Sequence, residues 1–112
     1  MKQAKVFFRE DFAGILTEDE HGYTFVYNVD YLNKENSKAV SLTLPLSEKP
    51  YNSQVLFPFF DGLIPEGWLL DIAEQSWKIN LRDRMSLLLA CCKDCIGAVS
   101  IVPLIPLIKE EI

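Results

Sequence analysis

Four prolines between positions 45 and 65 (Pro45, Pro50, Pro58 and Pro65) divide this chain into two halves with different hydrophobic periods. Proline has no backbone N–H and a fixed φ, so that stretch is mostly loop, with room for a short strand. Ahead of it the pattern has period two. Lys5 to Phe8 and Phe12 to Thr17 read as strands. Tyr23 to Asn28 puts Tyr23, Phe25 and Tyr27 on one face and Thr24, Val26 and Asn28 on the other. The polar turn Glu18 to Gly22 folds that segment back as a hairpin. Tyr31 to Ser37 reads as a polar connection, and Ala39 to Leu44 as a further strand stopped by Pro45.

Beyond the prolines the period lengthens. From Glu66 to about Ile79, Leu69, Leu70, Ile72, Ala73 and Trp77 oppose Asp71, Glu74, Gln75 and Lys78, the spacing of an amphipathic helix. Pro65 and Glu66 suit its first turn. Asn80 is the expected N-cap of a second helix, with Leu81, Met85, Leu88, Leu89 and Cys92 on its apolar face. Ile96 to Val102 is β-branched and reads as a buried closing strand. The expectation is one α+β domain over residues 1–112: a small antiparallel β-sheet, two helices from the C-terminal half packed on it, and a closing strand.

Composition narrows the function classes. Sixteen acidic residues against 11 basic ones give a net charge of −5. Nucleic-acid binding normally needs a basic patch, so a protein partner with a basic face is the easier inference. The apolar stretch from Ile96 to Ile108 is broken by Pro103 and Pro106 and falls short of the roughly 20 residues of a membrane span. With no targeting segment in view, a cytoplasmic protein is expected.

Cys91, Cys92 and Cys95 contain a C-x-x-C, but at the end of a helical pattern, where the thiol pKa rises. No second ligand pair follows, and His21 is the one histidine. Buried thiols are expected rather than a metal or cofactor site, with a small thiol or metal protein as the competing reading. His21 sits in an acidic turn, exposed. Asp61 with Glu66, or Asp71 with Glu74, could pair, yet no second catalytic residue type joins them. Neither phosphate-binding glycine motif nor kinase catalytic motif occurs, so no enzyme is expected.

Phe59-Phe60-Asp61-Gly62-Leu63-Ile64-Pro65-Glu66-Gly67, followed by Trp68, stands apart. In one reading the phenylalanines plug the core and the glycines supply positive φ. In the other, two exposed aromatics on a proline-stiffened loop are preorganised anchors for a partner. Trp68 falls on the border of the helix's apolar and polar faces, which suits either a partly buried core position or a contact residue.

This run, with Leu44-Pro45-Leu46-Ser47, Pro50-Tyr51 and Asp94-Cys95-Ile96-Gly97-Ala98, resembles the N-terminal subdomain of HipA-type serine/threonine kinases, the toxins of bacterial toxin–antitoxin systems. The likeness runs from about Thr43 to Val99. It departs at Leu69 and Leu70, where the family usually has a basic residue, and at Lys93, often glycine there. None of the family's catalytic or ATP-binding residues has a matching position. A lone copy of the subdomain resembles the HipS-type antitoxin of tripartite HipBST systems. That resemblance implies docking onto a HipT-like kinase toxin, with a HipB-like DNA-binding protein completing the complex. The contact is expected through the aromatic loop and the residue after it: Phe59, Phe60, Asp61, Gly62, Leu63, Ile64, Pro65, Glu66, Gly67 and Trp68. A truncated piece of a full-length HipA-like kinase is the alternative.

Overall fold

The period-two half folds as its alternation dictates. The computed structural model describes residues 2–75, 80–91 and 98–104, with side chains described outside 71–75. Strands β1 (Lys2–Phe8), β2 (Asp11–Asp19) and β3 (Gly22–Tyr27) pair antiparallel through two tight hairpins. Ala4, Val6, Leu16, Phe25 and Tyr27 share the buried face. The register shifts between Val6 and Phe7, leaving Ala13 as the extra residue of a bulge. Gly14 beside it is required: a Cβ there would lie 2.4 Å from the Val26 carbonyl oxygen and 2.9 Å from the Phe25 ring.

With β4 (Tyr51–Ser53) and β5 (Val99–Pro103) the sheet is open and five-stranded, in the order β4-β3-β2-β1-β5, antiparallel throughout. β4 is the short strand allowed for among the prolines. β5 confirms the closing strand from Val99 onward, while Ile96 and Gly97 lie outside the described residues.

The strand expected over Ala39 to Leu44 is not formed. A single bridge, Ser41 to Leu44, closes a turn instead. The cause is a pair of stacked tyrosines, Tyr27 and Tyr31, 6.3 Å apart. The Tyr27 hydroxyl accepts from Val40 N–H and donates to the Leu44 carbonyl, and the Tyr31 hydroxyl donates to the Lys38 carbonyl. Polar backbone groups that a ladder would use are therefore spent on side chains. Tyr31 itself lies in a one-turn helix, α1 (Val29–Leu32), where a polar connection was expected.

Three helices follow: α2 (Pro58–Asp61), α3 (Glu66–Gln75) and α4 (Arg84–Cys91). α4 presents Met85, Leu87 and Leu88 to the core, and α2 contributes Phe60, against Val6, Leu16, Phe25 and Ile101 from the sheet. The α+β architecture is as read. The second helix starts later than expected. Asn80 caps a local turn, its side-chain oxygen accepting from Arg82 N–H at 3.0 Å, and Asp83 takes the capping position of α4. Leu81 precedes the helix and stays exposed. Of the expected apolar face of α3, Leu69 packs on the core, but Leu70 is exposed to solvent instead. Cys91 is half-buried against the core, whereas Ile72, Ala73, Trp77, Cys92 and Cys95 fall among the positions whose side chains are not described.

Candidate functional site

Pro58 opens α2 in the first-turn position that tolerates a missing N–H, and Gly62 closes it. This single turn splits the two phenylalanines. Phe60 is fully buried, its ring 5.5 Å from Phe25, 6.1 Å from Phe57 and 5.1 Å from Phe59. Phe59 is half-buried against the same cluster. The expectation of two exposed aromatics is thus corrected: their burial supplies hydrophobic stabilisation, about 2–3 kcal/mol for a side chain such as Phe60.

The rest of the run divides the same way. Ile64 is buried and Leu63 packs on the core, while Pro65, Glu66 and Gly67 are exposed. Asp61 is half-exposed and accepts a hydrogen bond from the Arg84 guanidinium at 2.6 Å, tying α2 to α4. Its partner is therefore a cation, and not Glu66, with which it could have paired. Neither Gly62 nor Gly67 adopts positive φ; Gly62 is at −68° and Gly67 lies in α3. Gly62 is restricted by the Pro58 carbonyl oxygen, 3.2 Å from where a Cβ would stand, whereas Gly67 has no atom within 4 Å of that position.

Trp68 is half-buried at the start of α3, as its border position predicts. Among the described residues it lines a cavity of about 240 Å³ together with Asn80, Asp83, Ser86, Leu87 and Ala90. The spacing of 80, 83, 87 and 90 is that of one helical face, a signal present in the sequence but passed over in favour of the apolar stripe. Two exposed leucines, Leu70 (68 %) and Leu81 (43 %), neighbour these residues in the chain.

Among the described residues, Asp83 beside this site is paired internally. Lys2 lies 3.4 Å from Asp83 and 3.7 Å from Glu18, and Glu18 accepts the Tyr23 hydroxyl at 2.9 Å. Burial and the Glu18 carboxylate push the Tyr23 phenol up to about 12. Burial would raise the Asp83 carboxyl, but hydrogen bonds from the Ser86 hydroxyl and N–H, and the Lys2 ammonium, outweigh it and hold the group below its usual range. His21, at the hairpin tip, is 85 % exposed in its side chain, which lies 3.7 Å from Glu20, and its N–H donates to the Asp19 carboxylate at 2.8 Å. No helix among the described residues is long and apolar enough to cross a membrane.

Comparison with known proteins places this arrangement. The family model for the HipA N-terminal domain matches residues 4–102. A solved structure, the N-terminal domain of HipA toxin, superposes with a TM-score of 0.76 at 31 % identity, covering 96 % of both chains. An uncharacterised protein of Haemophilus influenzae is 37 % identical over 101 residues, 90 % of this chain and 92 % of its own length. Y4mE of Sinorhizobium fredii, which bears the name of a kinase, is 31 % identical over 92 residues, and there the match spans 22 % of the protein. The chain belongs to the HipA N-terminal domain family.

Proposed function

We propose that this protein is a non-enzymatic antitoxin subunit that binds a HipA-like serine/threonine kinase in the cytoplasm and suppresses it. The observation that carries this reading is the full-length likeness to the N-terminal domain of HipA toxin, covering 96 % of both chains. A module that packs within a kinase polypeptide keeps, when separate, a surface complementary to it. The Haemophilus relative supports the separate form, because nearly its whole length matches this chain. The contact surface is the accessible part of the 59–68 segment: the exposed Gly62, Pro65, Glu66 and Gly67 with the half-buried Phe59, Asp61 and above all Trp68, whose indole borders open space. Phe60 and Ile64 support that surface from below. A HipB-like DNA-binding protein would complete the complex.

The test is Trp68→Ala. The variant should keep its circular dichroism, melting somewhat lower because the indole packs partly on the core, yet lose at least tenfold in suppressing phosphoryl transfer by the purified kinase under conditions where it is folded, as removal of a hot-spot tryptophan does. A folded variant that suppresses at full strength contradicts this assignment. A second reading, the N-terminal piece of a HipA-like kinase, is favoured by the match to about a fifth of Y4mE. A kinase reading frame fused directly downstream would establish it.

A further inference from the structure

The first turn of α4 holds a side chain that the helix's own electrostatics disfavours there. Arg84 is its first residue, at the positive end, where a carboxylate and not a cation is stabilised. The guanidinium reaches outward instead. Its Nε–H donates to Asp61 Oδ1 at 2.6 Å and an Nη1–H to the Leu81 carbonyl at 3.3 Å. One planar fork thus joins the last residue of α2 to the turn that leads into α4, a span that a lysine ammonium would not hold in one geometry. The two side chains are 30 % and 40 % exposed, so the pair adds little to stability. What it adds is direction.

α2 needs that direction, because a one-turn helix does not sustain itself. Phe60 anchors it through burial, and burial is non-directional. A charge-assisted hydrogen bond at the next residue fixes the rotation of the turn about that anchor, and with it how far Phe59 stands out. The orientation is passed along the chain. The Phe60 carbonyl accepts from Leu63 N–H at 3.0 Å, the Asp61 carbonyl from Ile64 N–H at 3.2 Å, and the Pro65 carbonyl from Leu69 N–H at 3.1 Å. Trp68 lies at the end of this run, beside Asn80 and Asp83 of the turn whose Leu81 carbonyl Arg84 also holds.

We infer that Arg84 is a positioning residue: acting through Asp61, it sets the orientation of the 59–68 surface, Trp68 included. The inference rests on the kinase-binding reading and deepens it, by naming what holds the contact surface ready before a partner arrives.

Arg84→Met removes the fork and keeps the apolar stem. In a Trp77→Phe background Trp68 is the one tryptophan, and its fluorescence reads the surface with no partner present. The variant should stay folded by circular dichroism, with Trp68 emission shifted to the red and quenched more strongly by acrylamide, since a half-buried indole gains water when its segment is freed. Affinity for the purified kinase should fall roughly tenfold in Arg84→Met and in Asp61→Ala alike, and no further in the double variant, because the two ends of one tie are lost only once. Unchanged emission and quenching in the folded variant overturns the inference: a merely stabilising pair, or an arginine that touches the kinase itself, would leave them as in wild type. Losses that add in the double variant overturn it as well. If the wild-type protein forms no complex, the kinase reading falls and the fluorescence alone decides the positioning. Should Arg84→Met fail to fold, Asp61→Ala cuts the tie from its other end and carries the same fluorescence test, with wild-type emission overturning the inference.

Discussion

Gly67 has no conformational reason to be glycine: it sits in the first turn of α3 without positive φ, and open space surrounds the place of its missing Cβ. Alanine there should stabilise the fold by about 0.5–1 kcal/mol, since glycine loses more chain entropy than alanine in a helix. A Gly67→Ala protein should therefore melt a few degrees higher and, on the kinase-binding proposal, bind the kinase more weakly, because a methyl group would stand on the proposed contact surface. Thermal melts and binding titrations read the two effects separately; stabilisation with unchanged affinity would show that no partner packs there. At this scale the sequence singled out the segment but did not say which of its members are buried. Phe59 and Phe60 are adjacent and chemically identical, and only the one-turn helix α2, four residues among prolines, turns one wholly inward and leaves the other half-exposed. So short a helix has no periodicity to read.

At the scale of elements, the start of α4 does two jobs. Asp83 caps the helix through the Ser86 N–H at 3.3 Å and holds the Lys2 ammonium of β1 at 3.4 Å. Asp83→Ala should cost about 1 kcal/mol at neutral pH, the usual loss for a cap. The sign with pH follows from the lowered carboxyl. Its ionised form is favoured in the fold, so the contribution is complete above the unfolded value near 3.8 and is lost as pH falls through the folded one. Denaturant titrations at descending pH should show wild type and Asp83→Ala converging in acid; a constant gap would place the effect elsewhere than in the charge. The strands β1, β2 and β3 were legible because alternation is strong and their turns are polar. Ala39 to Leu44 alternates equally well and misled for that reason. What decides it is the pair of hydroxyls on Tyr27 and Tyr31, which reach residues that lie far along the chain.

For the whole molecule, the same tyrosine buttress makes the fold sensitive to alkali. Burial pushes the Tyr27 phenol up to about 12 from 10.0. The unfolded chain then ionises first, binds fewer protons than the native state between those values, and stability falls as pH rises. The loss attributable to Tyr27 is about 2–3 kcal/mol. Urea midpoints should drop steeply above pH 10 in wild type and less steeply in Tyr27→Phe; parallel curves would contradict the assignment. The α+β class and the family were both readable from the period change and the 59–67 run. The cavity was legible only on its α4 side, in the spacing of 80, 83, 87 and 90, since it forms where α3 meets the approach to α4 and no single periodicity describes that junction. The central claim is that this module binds and silences a kinase. The most direct measurement is growth of cells expressing the cognate HipA-like kinase with and without this protein, alongside co-purification of the pair. Restored growth with a stable complex is the predicted result; unrelieved toxicity with no complex would contradict the account and leave a shared fold alone.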